Sequence, residues 1–149
     1  MYLPEDRIKR ILSELETYIY PDCVPVEKYK MKKGNFSGGE EPDLDLTDWA
    51  DFNSADRWGG KEEKDRHYWL RTEITIPRQF DGKTVIYHVK TAEAGGWDLA
   101  NPQLLAYVNG QVVQGLDVRH QEIILSQQAK TGEVYQIALF SYCGIRGGL

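Results

Sequence analysis

Cysteine is scarce in this chain. Cys23 and Cys143 stand far apart and show no metal-type spacing. A small secreted disulfide scaffold carries more of them. Long apolar runs are missing too. No stretch approaches the roughly 20 residues that cross a bilayer as a helix. The first residues, MYLPEDRIKR, are charged where a signal peptide needs an apolar segment. These absences lead to the expectation of a cytoplasmic protein with no membrane partner. Positive charge is also in deficit, with 18 Lys and Arg against 23 Asp and Glu, a net charge of −5. The basic clusters Arg7–Arg10 and Lys28–Lys33 are short and interrupted. A nucleic-acid partner needs a broad basic face that releases counterions, so none is expected.

Recognisable catalytic motifs are missing as well. His67, His88 and His120 form no pair at helical ligand spacing, and no cysteine joins them. His120-Gln121-Glu122 places two candidate ligands two residues apart. On a strand both would face one side, but the signal is weak and a hydrogen-bonded or solvated histidine is the better reading. Ser141, Cys23 and Cys143 sit in no G-x-S-x-G elbow. The glycine pairs 38–39, 59–60, 95–96 and 147–148 lack the strand-to-helix setting and the lysine of a phosphate loop. Acids are plentiful, yet no spacing singles out a glycosidase-type pair. The sequence therefore yields no catalytic, cofactor-binding or metal-binding residue.

What is present is an ordinary globular composition, 41% hydrophobic and 28% charged, over a length that suits one domain. The chain opens with a helical pattern. Ile8, Ile11, Leu12, Leu15, Tyr18 and Ile19 recur at steps of three and four, which makes one apolar stripe. Pro4 suits the first helical position, Glu5 and Asp6 suit the positive end of the dipole, and Pro21 stops the pattern. Such a stripe packs on the domain itself or docks elsewhere. Residues 23–33 allow a short strand within VPVEKYKM. Residues 35–65 are acidic, rich in Gly, Asp and Asn, and weakly periodic, which reads as a long irregular connection. Trp49, Phe52 and Trp58 are its expected pins.

From His67 the pattern becomes extended. Tyr68, Leu70, Thr72, Ile74 and Ile76 alternate with Trp69, Arg71, Glu73 and Thr75, and Pro77 closes the run. Phe80-Asp81-Gly82 signals a turn, and Val85, Tyr87 and Val89 share the next face. LLAYV and QVVQGL flank Asn109-Gly110, the strongest short hairpin signal, because both central residues of a type I′ turn need positive φ. QEIIL, a Thr131-Gly132 turn and EVYQIALFSY follow. One helix and five or six strands predict a mainly β protein, a β-sandwich. The expected organisation is an N-terminal helix (1–22), a connector that wraps the sandwich (23–66) and the sandwich core (67–149), all in one domain.

One loop has the composition of a site. In TAEAGGWDLANP, residues 91–102, Gly95-Gly96 permits close backbone approach, and Trp97 offers an aromatic platform beside Asp98 and Asn101. A tryptophan that caps the core accounts for the same residues. After the hairpin, Gly115 permits a bulge or bend. Asp117, Arg119 and His120 then fall in a turn that can reach this loop or a neighbouring domain. Trp97, Asp98, Asn101, Asp117, Arg119 and His120 are thus the candidate contacts for a sugar or for another domain.

Three segments together, HYWLRTEITIP, GGWDLANPQLLAYVNGQVVQGLDVRHQEIIL and EVYQIALFSY, resemble the N-terminal β-sandwich domain of glycoside hydrolase family 38 α-mannosidases of the bacterial and cytosolic type. WADFNSADRWGGKEEKDRHYW stands in the matching order before them. A simpler pattern, W-L-R, I-x-I-P and then Y-V-N-G, is shared more widely by sandwich domains at the front of several glycosidases. The resemblance implies a jelly-roll, galactose-binding-like topology and a non-catalytic role in a retaining α-mannosidase. Its partner would be the catalytic domain of the same polypeptide, where zinc is expected; no cofactor is expected in this chain. The family's H-x-D metal motif is absent, so no family site residue carries over. On this reading the chain is the N-terminal part of a longer one, with oligomeric state open and a homo-oligomeric parent allowed. The alternative function is a carbohydrate-binding module.

Overall fold

Two ten-residue strands, β3 (Arg66–Thr75) and β8 (Val134–Cys143), pair antiparallel along their whole length, from Arg66 opposite Cys143 to Thr75 opposite Val134. They are the centre of the computed structural model, which describes residues 4–56, 65–90 and 103–144. The alternation in β3 divides its side chains as expected. Tyr68 and Leu70 enter the core between the sheets, while Trp69 enters a second cluster on the opposite face. Residues 68–71 are all buried, so this part of β3 is covered on both sides.

The larger sheet has six strands in the order β2-β1-β3-β8-β5-β6. On one side of the central pair lie β1 (Lys28–Lys33) and the short edge strand β2 (Ala50–Asn53). On the other lies the hairpin of β5 (Gln103–Val108) and β6 (Gln111–Leu116). Asn109 and Gly110 both have positive φ, 49° and 78°, as the Asn-Gly signal requires. A two-stranded sheet of β4 (Val85–His88) and β7 (Glu122–Ser126) covers the inner face. Its Tyr87 and Ile123 meet Leu70, Leu104, Ala106, Leu116, Ile137 and Leu139 in the main core. The result is the expected mainly β sandwich with an N-terminal helix, α1 (Pro4–Ile19).

Two details differ from the sequence reading. The short strand allowed within VPVEKYKM is β1, but the segment read as connector supplies a second strand, β2, and Phe52 is therefore an inward strand residue that joins the main core. The strand signal of β2 was hidden by its acidic and Asn-rich flanks. The hairpin irregularity falls at Val113, between the pairs Ala106–Gln114 and Tyr107–Val112, and not at Gly115, which pairs regularly with Leu105.

Residues 36–49 lie against Trp69 and Arg71 of β3. Gly39 lies so close to the Trp69 indole that a Cβ there would stand 2.3 Å from the ring. Buried Arg71 donates from Nη1 to the carbonyls of Gly39 and Glu41, both at 2.8 Å. Trp69 donates from Nε1 to the carbonyl of Phe36 at 3.1 Å. Trp49, only 4% exposed, packs edge-on to Phe36 and completes the pin. Trp58 lies outside the described residues.

Candidate functional site

The turn after β6 is built around one carboxylate. Asp117 Oδ1 accepts hydrogen bonds from the backbone N–H groups of Arg119 at 2.8 Å and His120 at 2.7 Å, and it lies 3.0 Å from His120 Nδ1. The Asp117 backbone N–H donates to the His120 carbonyl at 3.0 Å, closing the loop. Those donors hold the Asp117 carboxyl below its ordinary range, the Arg119 N–H contributing most. The sequence thus places Asp, Arg and His together because aspartate caps its own tight turn. His120 and Arg119 are exposed.

Of the six candidate contact residues, the structure brings together Asp117, Arg119 and His120. Trp97, Asp98 and Asn101 lie outside the described residues. Beside Asp117 the structure adds partners that the sequence reading missed. A shallow hollow of about 370 Å³ lies over β5, β6 and β8, bordered by Gln103, Leu105, Gly115, Asp117, Phe140 and Tyr142. A Cβ on Gly115 would meet only the Leu104 carbonyl oxygen, at 3.8 Å, so glycine leaves this side open. The Tyr142 hydroxyl donates to Asp65 at 3.0 Å, and that bond raises the phenol above its ordinary value. Phe140 and Tyr142 stand two residues apart on β8 and so share one face of the strand. Their meeting with Asp117 needs the β5–β8 pairing, which spacing along the chain does not encode.

The three histidines have separate surroundings. His67 stacks on Phe140 at 5.2 Å and leans on Tyr142 at 4.9 Å. His88 stacks on Tyr20 at 5.1 Å and contacts Gln121 Oε1 at 3.0 Å. His120 belongs to the Asp117 turn. His120 and Glu122 do not form a ligand pair, since Glu122 accepts the Tyr20 hydroxyl instead. Among the described residues no group of three His, Cys, Asp or Glu side chains is arranged to hold a metal ion. Ser141 and Cys143 are buried, while Cys23 is exposed. Among the described residues no helix is long and apolar enough to cross a membrane.

No family model and no curated protein matches this sequence. Solved structures do match. One is a Bacteroides uniformis β-glucuronidase, 17% identical over 76% of this chain and 14% of its own, with a TM-score of 0.57. A β-glucuronidase from glycoside hydrolase family 2 is 13% identical over 80% of this chain and 14% of its own, at 0.55. A family 2 member from Bacteroides cellulosilyticus is 18% identical over 76% of this chain and 16% of its own, at 0.54. The likeness shows the fold: a β-sandwich of the jelly-roll, galactose-binding-like class. The chain spans about one seventh of the length of these enzymes.

These findings overturn the resemblance to family 38 α-mannosidases. The neighbours are family 2 β-glucuronidases instead. The described parts of the segments behind that resemblance are strands and a hairpin, and their pattern specifies a sandwich that several glycosidases share. It carries no catalytic residue that tells one enzyme from another. The zinc expected in an accompanying catalytic domain rested on that resemblance alone.

Proposed function

We propose that this chain is a non-catalytic β-sandwich domain of a glycoside hydrolase, one that supports or docks on a catalytic domain of the same polypeptide. The observation that carries this reading is the match of the sandwich to a small part, 14%, of much longer glycosidases. The described polar groups agree with a supporting role. Asp117 is committed to its own turn, Arg71 to connector carbonyls, and Ser141 is sealed inside the sheet. The glycoside that the whole enzyme cleaves is left open, because identities of 13–18% speak to fold only.

The test uses antibody raised against this chain on extract from the source cells. A reactive band far larger than 17.1 kDa, with glycosidase activity depleted by the same antibody, is the expected result. A band at 17.1 kDa whose removal leaves every glycosidase activity in place would overturn the proposal.

The hollow beside Asp117 favours a second reading, a carbohydrate-binding module. Aromatic faces from Phe140 and Tyr142 next to a carboxylate edge suit a polyhydroxylated ring, which has apolar C–H faces and hydroxyl donors. Tyr142→Ala should then weaken saccharide binding by about 1 kcal/mol or more. NMR titration with mono- and disaccharides checks it, and unmoved signals for Leu105, Gly115 and Tyr142 at millimolar sugar would exclude it.

A further inference from the structure

Among the described residues the smaller sheet has two strands, β4 and β7, and they cover part of the inner face of the larger one. An apolar groove of about 680 Å³ is left between the sheets, walled by Phe52, Leu70, Ile74, Val85, Tyr87 and Leu125 among others. Within it the hydroxyls of Tyr29 and Tyr87 stand 2.8 Å apart and satisfy each other. A groove of this size and polarity asks for an apolar occupant.

The same chain carries an uncovered apolar surface of matching character. On α1, Ile8, Ile11, Leu12, Leu15, Tyr18 and Ile19 are 46–71% exposed. A helix of 16 residues without a packed face is marginal in water. No described side chain of α1 lines the groove, although Tyr20, Asp22 and Cys23, which directly follow the helix, do. That segment is fastened at the groove lip. Tyr20 stacks on His88 and donates to Glu122, and Asp22 pairs with Lys83 at 2.7 Å. With the strap fastened there, the groove lining begins at Tyr20 and includes no described residue of α1. Pro21 and Pro25 lie in the strap and limit its ability to fold back.

We propose that α1 of a second copy of this chain seats its apolar stripe in the groove, reciprocally, as a twofold helix-exchanged dimer. One helix–groove contact hides roughly half of the ~1,200–2,000 Å² of a specific interface, and the symmetric pair reaches that range. The arrangement covers both apolar surfaces with one contact type. It adds to the supporting role proposed above and does not depend on it, because it concerns copies of the sandwich and not a catalytic domain.

The experiment uses the full 149-residue chain in two measurements. Sedimentation equilibrium should give twice 17.1 kDa at micromolar concentration, and Leu12→Asp with Leu15→Asp should return the monomer with unchanged near-UV circular dichroism. In a Cys23→Ser background, a Leu15→Cys copy is then mixed with an Ile74→Cys copy and oxidised. A disulfide-linked heterodimer is the expected product. A monomer at every concentration overturns the proposal, as does a dimer indifferent to the helix substitutions. So does Leu15→Cys linking only to itself, which would mean helix-to-helix pairing with the groove unused.

Discussion

At Gly39 the missing side chain decides how the connector lies on the sheet. The residue's backbone touches the face of Trp69, and a Cβ would meet three indole carbons at 2.3–2.8 Å. The ring is held by Phe36, Tyr107 and Phe140 and has nowhere to retreat. Gly39→Ala should therefore lift the connector and cost about 1–3 kcal/mol, the usual penalty for overpacking. Urea unfolding checks it; an unchanged midpoint would mean that the connector slides freely.

The tyrosine pair makes a second prediction at this scale. Burial pushes the Tyr87 phenol well above its ordinary value of 10.0, and burial raises Tyr29 as well. The folded state therefore holds these protons more tightly than the unfolded chain does. Their contribution is fully present below pH 10 and is lost as pH rises through the raised values. The chain should destabilise steeply in alkali, and Tyr29→Phe combined with Tyr87→Phe should flatten that loss. A parallel alkaline profile in the double variant would show that other groups drive it. Tyr87 was legible in the sequence as an inward strand residue; its partner was not, because 58 residues separate the two hydroxyls.

Among the elements, the hairpin was the most legible. Asn-Gly between apolar runs specifies a turn by backbone conformation alone, a local property that a short window contains. The structure adds a second reason for glycine. A Cβ on Gly110 would stand 2.9 Å from Pro42 Cδ, so the connector packs against the turn. Gly110→Ala should cost about 1 kcal/mol for φ of +78° and more for the contact. Gly82→Ala is the control, since its φ is +70° with open space around it. If the two variants melt alike, the Pro42 contact contributes nothing.

β1 was legible as a short strand within VPVEKYKM, but its partners were not. Its sequence, KYKMKK, is dominated by lysine, and only the sheet reveals why it pairs on both edges. Tyr29 and Met31 turn to the core, while Lys30 and Lys32 reach Asp51 and Asp48 of the connector at 2.7 and 2.5 Å. Those pairings depend on which distant segment lies alongside. The periodicity of α1 announced an apolar stripe, but not what covers it.

Across the whole molecule, stability is unevenly distributed, and the distribution can be measured. The β3–β8 pair is continuous over ten residues, lies in the middle of the large sheet and feeds side chains to the main core and to the cluster around Trp69. Its amides can exchange only when the sheet as a whole opens. β1 and β2 are held on one side of that pair and should open at a lower free energy. α1 has no extensive packing on any strand, so in an isolated copy its amides should exchange first, on the scale of local helix fraying. The order β3 and β8, then β1 and β2, then α1 is the expected outcome of native-state hydrogen exchange. Protein concentration then separates two sources of helix stability. If the helix is held by a second copy, protection of residues 8–19 should rise with concentration, while that of β3 and β8 tracks the global stability. Equal protection of α1 and β3 in a demonstrably monomeric sample would mean that the helix packs on its own sandwich. In that case the groove would be filled from within the chain.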